Sequence, residues 1–382
     1  MNKLQKLPTS LIGVIGFVLI LLSSICVSAT DHTTLQSTPV WKETTINYPY
    51  GSSREWYEWC GSDNKRLIVQ FSDNIKHQIY FGLIDVESGR IEEIRETPVS
   101  LNPSCSPDGR YVFFQKRPFG GDVVQKNLYA YDTRTKKTSL IYASDRALPF
   151  RELKEPMSPS GQYLIGPDQW QEKVALPGGE ELEVIALPIK KTKKGKPMDF
   201  NDIRWSWDGN RLFLYGYTDR NVYVLDPKTK QATTIPIKIK GAFLKKYVYP
   251  SPDNTKIYIT GFFGNFMEGT TNLYTIDLKS PKNPPKLIAK DIDDYGVCAD
   301  GTIIFSRANI HPKERGNFAN GIYLYDKSGK ITLIKEIRDI AGFGYIYVSM
   351  RVSRDGNTII YPKKISKTEE VMAVLRKESK NW

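Results

Sequence analysis

Histidine, the side chain most often used for proton transfer and metal binding, is scarce in this chain, which contains His32, His77 and His311. No two of them share a motif, so a histidine metal centre is not predicted. The sequence also lacks a Gly-X-Ser-X-Gly nucleophile motif, a glycine-rich phosphate loop and a haem motif. We therefore predict no catalytic residue, no metal and no cofactor, and we leave enzymatic activity as the less favoured alternative.

The aspartates fall into two groups that differ in their sequence context. Those in the first group recur within short turns: Asp108, Asp208, Asp253, Asp300 and Asp355. Turns need such side chains to accept backbone N–H bonds, so this group is not interpreted as acid–base pairs. A second group, Asp122, Asp145, Asp202 and Asp294, can approach a face of the fold, but sequence spacing does not pair its members.

The turns themselves form a repeat. Ser106-Pro107-Asp108-Gly109 lies between two extended apolar segments, and related turns follow the same plan at Asp63, Ser160, Asp208, Asp253, Asp300 and Asp355. These seven positions are 45, 52, 48, 45, 47 and 55 residues apart. A period of this length with β-type segments is typical of a β-propeller.

Each repeat unit is predicted to contain four strands, A to D, counted outward from the central axis. The C strands share one pattern, with period-2 alternation and a turn-forming Asp at the end: Asn127–Asp132, Asn221–Asp226, Asn272–Asp277 and Gly321–Asp326. Unit seven ends without a D strand, and a lone strand at Trp41–Ile46 can fill that place. The sequence predicts an all-β fold with seven blades of four antiparallel strands, closed by this N-terminal strand. Six or eight blades remain open if unit one or three is miscounted.

The segments Ser106–Phe114 (SPDGRYVFF) and Asn127–Asp132 (NLYAYD) resemble the TolB-like, PD40-type repeat of the wider WD40-like class of β-propellers. The resemblance covers about residues 55–376. It implies a propeller fold and says little about activity. TolB carries an α/β domain ahead of its propeller, and propeller peptidases carry a hydrolase domain; we expect neither in this chain.

Propeller geometry places the short A–B and C–D turns on one face and the long B–C and D–A loops on the other. Basic and aromatic residues interleave in the long loops, a mixture that suits an anionic or glycan-like ligand. The alternative is that the aromatic side chains fill the channel and the lysines are solvated. The predicted ligand-binding residues of this long-loop face are Arg117, Phe119, Arg146, Arg151, Lys245, Phe263, His311, Arg315 and Tyr345.

The N-terminus reads as a targeting segment. Lys3 and Lys6 precede an apolar run, Leu11–Leu22, and Val27-Ser28-Ala29 supplies small residues for cleavage. We expect a signal peptide at 1–29 cleaved after Ala29, a flexible segment at 30–40 and a single propeller domain at 41–382. A retained anchor, or a lipoprotein processed at Cys26, is the less favoured alternative.

The net charge indicates which partners to expect, and the cysteine count indicates whether to expect a disulfide. Without Lys3 and Lys6 the mature chain has 52 basic and 42 acidic residues, a formal charge of +10. That charge suits anionic polymers, although a lysine-rich soluble surface explains it as well. Cys60, Cys105 and Cys298 remain, an odd count, and we expect small buried side chains rather than a disulfide.

Together these features predict an exported, monomeric, non-enzymatic β-propeller, periplasmic or extracellular, that binds an envelope protein or an anionic polymer or glycan. No nucleic-acid partner and no stable membrane insertion after signal cleavage are expected. The alternative is a propeller lyase or glycosidase acting on acidic polysaccharide, which requires convergent carboxylates such as Asp122, Asp294 and Glu314 near His311.

Overall fold

The computed structural model describes residues 39–49, 52–73, 78–95, 99–116, 127–143, 155–166, 173–187, 200–216, 221–264, 270–307, 320–337, 349–366 and 369–378. The chain separates into a unit at 1–40 and a unit at 41–382, and the strands among the described residues lie in the second unit. Over the described ranges, no helix is long and apolar enough to cross a membrane.

In the part of the chain that the structure describes, twenty-seven strands form seven sheets arranged as the blades of a propeller. The strands are β1 (Trp41–Asn47), β2 (Ser52–Cys60), β3 (Arg66–Asp73), β4 (Gln78–Asp85), β5 (Ile91–Ile94), β6 (Val99–Cys105), β7 (Tyr111–Lys116), β8 (Asn127–Asp132), β9 (Lys137–Ala143), β10 (Tyr163–Gly166), β11 (Lys173–Ala175), β12 (Glu181–Ala186), β13 (Phe200–Trp205), β14 (Leu212–Gly216), β15 (Asn221–Leu225), β16 (Ala232–Pro236), β17 (Phe243–Pro250), β18 (Lys256–Phe263), β19 (Thr270–Asp277), β20 (Lys286–Ala289), β21 (Tyr295–Val297), β22 (Ile303–Arg307), β23 (Gly321–Tyr325), β24 (Ile331–Glu336), β25 (Arg351–Val352), β26 (Thr358–Lys364) and β27 (Glu370–Lys377). Blades one, two, four, five and six each contain four consecutive antiparallel strands, as the repeat predicts.

The predicted closure of the ring is confirmed. Strand β1 pairs antiparallel with β27, with Trp41 opposite Lys377 and Asn47 opposite Val371, so the first strand becomes the outermost strand of blade seven. The partly buried carboxylate of Glu43 accepts hydrogen bonds from Tyr361 and Lys363 and pairs with Lys335 of blade six. Closure therefore joins three segments that are distant in sequence and removes two exposed sheet edges.

The hydrophobic core lies between neighbouring blades. The second strand of each blade is covered on both faces, and β14 and β22 are buried at every position. Each apolar cluster draws on adjacent sheets: Ile68 and Phe81 of blade one, for example, pack with Val112 and Phe114 of blade two. A blade cannot bury its two faces alone, so the ring is stabilised by its repeated interfaces.

Blade three departs from the predicted four antiparallel strands. Its order is β10–β12–β11, with β10 and β12 parallel, so the outer hairpin is inserted in the reverse order. On the inner side, a single bridge from Met157 to Leu164 stands in place of an A strand among the described residues. The hairpin itself, with its turn at Pro177-Gly178-Gly179, forms as predicted.

The A–B turns have the chemistry that their sequences indicate. In four of them a serine hydroxyl donates to the turn aspartate, as Ser206 does to Asp208 at 2.6 Å and Ser251 to Asp253 at 2.6 Å. The Ser251 hydrogen bond lowers the pKa of Asp253. These carboxylates stabilise the turns, the role that their sequence context predicts.

The prediction for Cys60 and Cys105 is wrong, because these residues form a disulfide across a Cα–Cα distance of 5.0 Å. Each cysteine ends the innermost strand of its blade, Cys60 three positions before Asp63 and Cys105 three positions before Asp108. The propeller therefore brings equivalent positions of adjacent blades together at the axis. Cys298 is free and buried, as expected. Burial raises the pKa of its thiol to about 12.

Candidate functional site: an axial cavity with two arginine clusters

A cavity of about 220 Å³ lies on the propeller axis. It is lined by innermost strands and A–B turns, and we call it the axial cavity. Its charged and aromatic lining residues are Glu58, Trp59, Glu155, Arg204, Trp205, Trp207, Tyr249, Tyr295, Arg351 and Arg354. These residues come from every blade except the second, which contributes Cys105, Ser106 and Pro107.

The first cluster joins blades three, four and five around Arg204, whose side chain is 6% exposed. Arg204 Nη1 donates to Glu155 Oε1 at 2.8 Å, and Nη2 donates to Tyr249 Oη at 2.9 Å. The buried Asp202 lies 3.6 Å from Arg204 Nε and accepts the backbone N–H of Val248 at 2.7 Å. One guanidinium group therefore ties three blades together at the channel wall.

The second cluster does the same for blades six, seven and one around Arg351. Its Nε lies 2.9 Å from Glu58 Oε2, and its Nη1 lies 3.0 Å from Asp294 Oδ2. Asp294 also accepts the backbone N–H groups of Tyr295 at 2.9 Å and Met350 at 3.1 Å. The ring of Tyr57 packs 5.2 Å from the guanidinium carbon.

Electrostatics keep both guanidinium groups charged despite their burial. Desolvation alone lowers the pKa of Arg204, but Tyr249, Glu155 and Asp202 outweigh it and hold that pKa well above its ordinary value. The pKa of Arg351 is likewise raised well above its ordinary value, because Glu58 and Asp294 outweigh burial. Burial raises the pKa of Tyr249, so this phenol stays protonated and can donate.

A third arginine bridges the turn-side end of the channel. Arg354, from the A–B turn of blade seven, lies with its guanidinium carbon 4.5 Å from the ring centroid of Trp207 in blade four, and its Nη2 donates to Trp207 O at 3.1 Å. The indole of Trp207 in turn donates to Pro250 O of blade five at 3.1 Å. Because blades four and seven stand on opposite sides of a seven-bladed ring, this pair spans the channel.

The charges of these described side chains nearly balance. The two clusters contain four carboxylates, those of Glu58, Glu155, Asp202 and Asp294. They contain two guanidinium groups, and Arg354 adds a third, which leaves one formal negative charge. The cavity is therefore a poor site for a polyanion, since each added carboxylate meets this excess in a region of low dielectric constant.

Few of the sequence-predicted binding residues can be placed. Phe263 ends β18, half-buried, with its ring 6.4 Å from that of Tyr274. The backbone of Lys245 lies in β17 at an irregularity in its pairing with β18. The others lie outside the described residues: Arg117, Phe119, Arg146, Arg151, His311, Arg315 and Tyr345. Their role stays a prediction.

Of the acidic residues that the sequence singled out, Asp202 and Asp294 are both buried, each beside an arginine that lines the axial cavity. Asp122, Asp145 and Glu314 lie outside the described residues. The clusters around Arg204 and Arg351 were missed, although a signal was present. Arg-X-Ser-X-Asp-Gly occurs at 204–209 and at 351–356, and repeat-equivalent positions meet at the axis.

Comparison with known proteins gives the fold and no family. No known family matches the sequence, and no curated protein matches it. The TolB-like resemblance is thus carried by the propeller fold and goes no further.

Solved structures that resemble this one are propellers of diverse function. They include an oligogalacturonate lyase in complex with manganese, at 11% identity and a TM-score of 0.57, covering 90% of this chain and 99% of that one. An oligogalacturonate lyase from Vibrio parahaemolyticus has 12% identity and a TM-score of 0.50, covering 88% and 97%. U3-55K has 10% identity and a TM-score of 0.51, covering 89% and 100%.

The lyase in complex with manganese raises the question of whether residues of this chain are grouped to hold a metal ion. Within the described ranges, no three His, Cys, Asp or Glu side chains are grouped so as to hold a metal ion. The conclusion from geometry and comparison together is that this chain is an all-β, seven-bladed β-propeller.

Proposed function

We propose that this protein is an exported, non-enzymatic propeller that serves as a binding or scaffolding module in the cell envelope. Its partner is a protein or an anionic polymer or glycan, held on the long-loop face. The observation that carries the proposal is the use of the charged groups in the axial cavity. Each of the four carboxylates interacts with an arginine or accepts a hydrogen bond from a backbone N–H group. These interactions stabilise the contacts between blades, which is a structural role.

The turn-side face supports the choice of the opposite face for binding. Adjacent A–B turns are bonded to one another, with Ser62 N donating to Pro107 O at 2.7 Å and Ala299 N to Arg354 O at 2.8 Å. Arg354 N donates to Asn64 Oδ1 at 2.9 Å, which joins blade seven to blade one. Short turns that are hydrogen-bonded to one another make this face rigid. Binding residues more often lie on long loops that a rigid framework carries.

The disulfide supports export. Structural disulfides persist in oxidising compartments and are rare in the cytosol. The Cys60–Cys105 bond therefore agrees with the leader at 1–29, which ends in Val27-Ser28-Ala29. Both features are accounted for if the mature chain works in the periplasm or outside the cell.

The alternative is a propeller lyase or glycosidase for acidic polysaccharide, and two of the similar structures are oligogalacturonate lyases. The charge of the axial cavity argues against it. An acidic sugar placed there meets Glu58 and Glu155, while the neighbouring guanidinium groups are already paired. Binding to the basic outer loops avoids this repulsion, and we therefore prefer the binding module.

A salt series tests the electrostatic part of the proposal. Mature protein, residues 30–382, is passed over an immobilised anionic polysaccharide at rising salt. We expect retention that falls steeply, because screening weakens exposed charge pairs. Lys191, Lys193 and Lys194 belong to a segment that the sequence predicts to be one of the long loops, and replacing them by Glu should abolish retention. The matched control replaces Lys228, Lys230 and Lys327 of the C–D turns, on the other face, by Glu. Equal losses in both variants, or retention insensitive to salt, would overturn the assignment of the face.

Two further measurements separate a binder from an enzyme. Cross-linking of the mature protein in envelope extracts, followed by affinity capture, should yield a partner that the Lys191/Lys193/Lys194 variant loses. Incubation with oligogalacturonate should yield no unsaturated product detectable by ultraviolet absorbance. Product formation that scales with enzyme and disappears in a Glu58→Gln variant would replace the binding proposal by the lyase alternative.

A further inference from the structure

The starting observation is the place of Arg354 in the axial cavity. Its guanidinium group lies over the indole of Trp207, the arrangement by which aromatic faces hold organic cations. The side chain reaches this ring from the opposite side of the channel, while the backbone of Arg354 is fixed by Asn64 and Ala299. The side chain can thus leave Trp207 without breaking the turn that carries it.

The charge around this position favours a cation. The two arginine clusters bring four carboxylates and two guanidinium groups to the channel wall, an excess of two negative charges, and Arg354 offsets one of them. Glu155 is the most accessible of these carboxylates, with 39% of its side chain exposed. If Arg354 swings out, the cavity presents an aromatic face with unbalanced carboxylates beside it.

Size limits the ligand. The cavity, at about 220 Å³, is smaller than the roughly 300 Å³ at which pockets for drug-sized molecules begin. It accommodates a group the size of one side chain. Trp59 and Tyr249 add further aromatic surface, which favours a delocalised or alkyl-bearing cation over a small hydrated ion.

We propose that the axial cavity is a receptor site for a guanidinium or primary ammonium group, which Arg354 occupies in the unliganded protein and which a ligand takes by displacing it. The site is at the turn-side end of the channel, so it stands apart from the long-loop face. Its failure or success leaves the proposed function untouched. The ligand is either a free amine or the Arg or Lys side chain of a partner protein.

If Arg354 occupies the site, it should compete with an external cation. Arg354 is tethered to its site, so it competes at an effective concentration in the millimolar range. Removing it should therefore strengthen binding of an external cation. We expect Arg354→Ala to bind agmatine at least tenfold more tightly than the natural chain in isothermal titration. The matched control is Arg134→Ala, which removes an exposed arginine from a C–D turn and should bind agmatine as the natural chain does.

The carboxylates supply the specificity test. Adding Glu58→Gln and Glu155→Gln to Arg354→Ala should weaken the binding of agmatine at least tenfold. Acetate should not bind to any variant. Melting temperatures without ligand, and an Arg354→Met variant that keeps the volume, report whether the cavity has collapsed. Arg354→Met should bind agmatine more weakly than Arg354→Ala if the side chain blocks the site.

A second ligand distinguishes the source of the cation. The capped tripeptide acetyl-Gly-Arg-Gly-amide should bind Arg354→Ala if the ligand is a protein side chain, and agmatine alone should bind if it is a free amine. Absence of binding of both to Arg354→Ala, with its melting temperature retained, overturns the inference. Equal affinity for agmatine in Arg354→Ala and in the triple variant also overturns it.

Discussion

Cys60 and Cys105 occupy the same position in two neighbouring blades and are joined by a disulfide whose Cα atoms lie 5.0 Å apart. The bond joins positions 45 residues apart, and the segment between them contains β3, β4 and β5 of blade one and β6 of blade two. It therefore restrains a unit of the repeat at its innermost edge, next to the axial cavity.

Removal of this disulfide should destabilise the propeller. We expect Cys60→Ser with Cys105→Ser to lower the free energy of unfolding by about 2–4 kcal/mol, since the crosslink restricts the unfolded chain. Urea unfolding with and without dithiothreitol measures the effect, and the reductant should no longer matter in the double variant. Cys298→Ala, which removes a buried free thiol, is the control and should respond to dithiothreitol as the natural chain does. A natural chain that is insensitive to reductant would contradict the prediction.

The closing strand should make stability depend on pH through Glu43. Burial opposes ionisation of this carboxyl, but hydrogen bonds from Lys363, Tyr361 and Lys335 outweigh it and lower its pKa from 4.5 to about 2. A pKa depressed in the folded state gives stability that is complete above 4.5 and is lost as the pH falls toward 2. Glu43→Gln should remove about 1–2 kcal/mol at pH 7 and flatten the dependence between pH 4.5 and pH 2.

Urea midpoints measured across that pH range test the role of Glu43. The control is Glu92→Gln, which disrupts an exposed pair with Lys136 and should cost under about 0.5 kcal/mol. Equal costs for the two substitutions would show that closure does not depend on the carboxylate of Glu43.

The cluster around Arg351 should tolerate loss of a partner poorly. Asp294→Asn keeps the shape of the side chain but removes the charge that faces Arg351 Nη1 at 3.0 Å. Leaving a buried guanidinium undercompensated should cost about 3 kcal/mol. Glu181→Gln, in an exposed pair with Lys173, is the control and should cost less than about 0.5 kcal/mol. Chemical denaturation of both variants decides whether the axial ion pairs hold the blades.

Turn glycines should differ in their tolerance of a side chain according to the neighbouring blade. Gly356 has φ +72°, and a Cβ added there lies 2.9 Å from Cys298 Sγ of blade six. Gly241 has φ +75° with nothing within 4 Å of an added Cβ. Gly241→Ala should cost about 1 kcal/mol for the backbone conformation, and Gly356→Ala should cost about 1–3 kcal/mol more because of overpacking. Thermal melts compare the two; similar losses would mean that the blade contact adjusts freely.

The architecture was predictable because its signals are local. Turn chemistry at Asp108 and its equivalents, and alternation in strands such as Asn127–Asp132, depend on neighbouring residues in the chain. The missing outer strand of unit seven and the orphan strand at Trp41 complemented each other, so closure followed. The reversed hairpin of blade three was not predictable, since the same two strands and turn serve either order.

The axial contacts were harder to predict for a different reason. Whether Cys60 meets Cys105, or Arg351 meets Glu58, depends on how the innermost strands of different blades align along the axis. Strand patterns within one unit do not fix that alignment. The repeat-equivalent positions of Cys60 and Cys105 contained the information, but an odd count of cysteines pointed away from a bond.

The pairing of β1 with β27 also sets the order of events during biosynthesis. Tyr361 and Glu43, which bond across the closing seam, are separated by 318 positions. The early sheets can assemble one by one, yet β1 must wait, unpaired, until β27 is available in the same compartment. Maturation should therefore end in a single late step, and a chain cut short before Glu370 should stay protease-sensitive at its amino end.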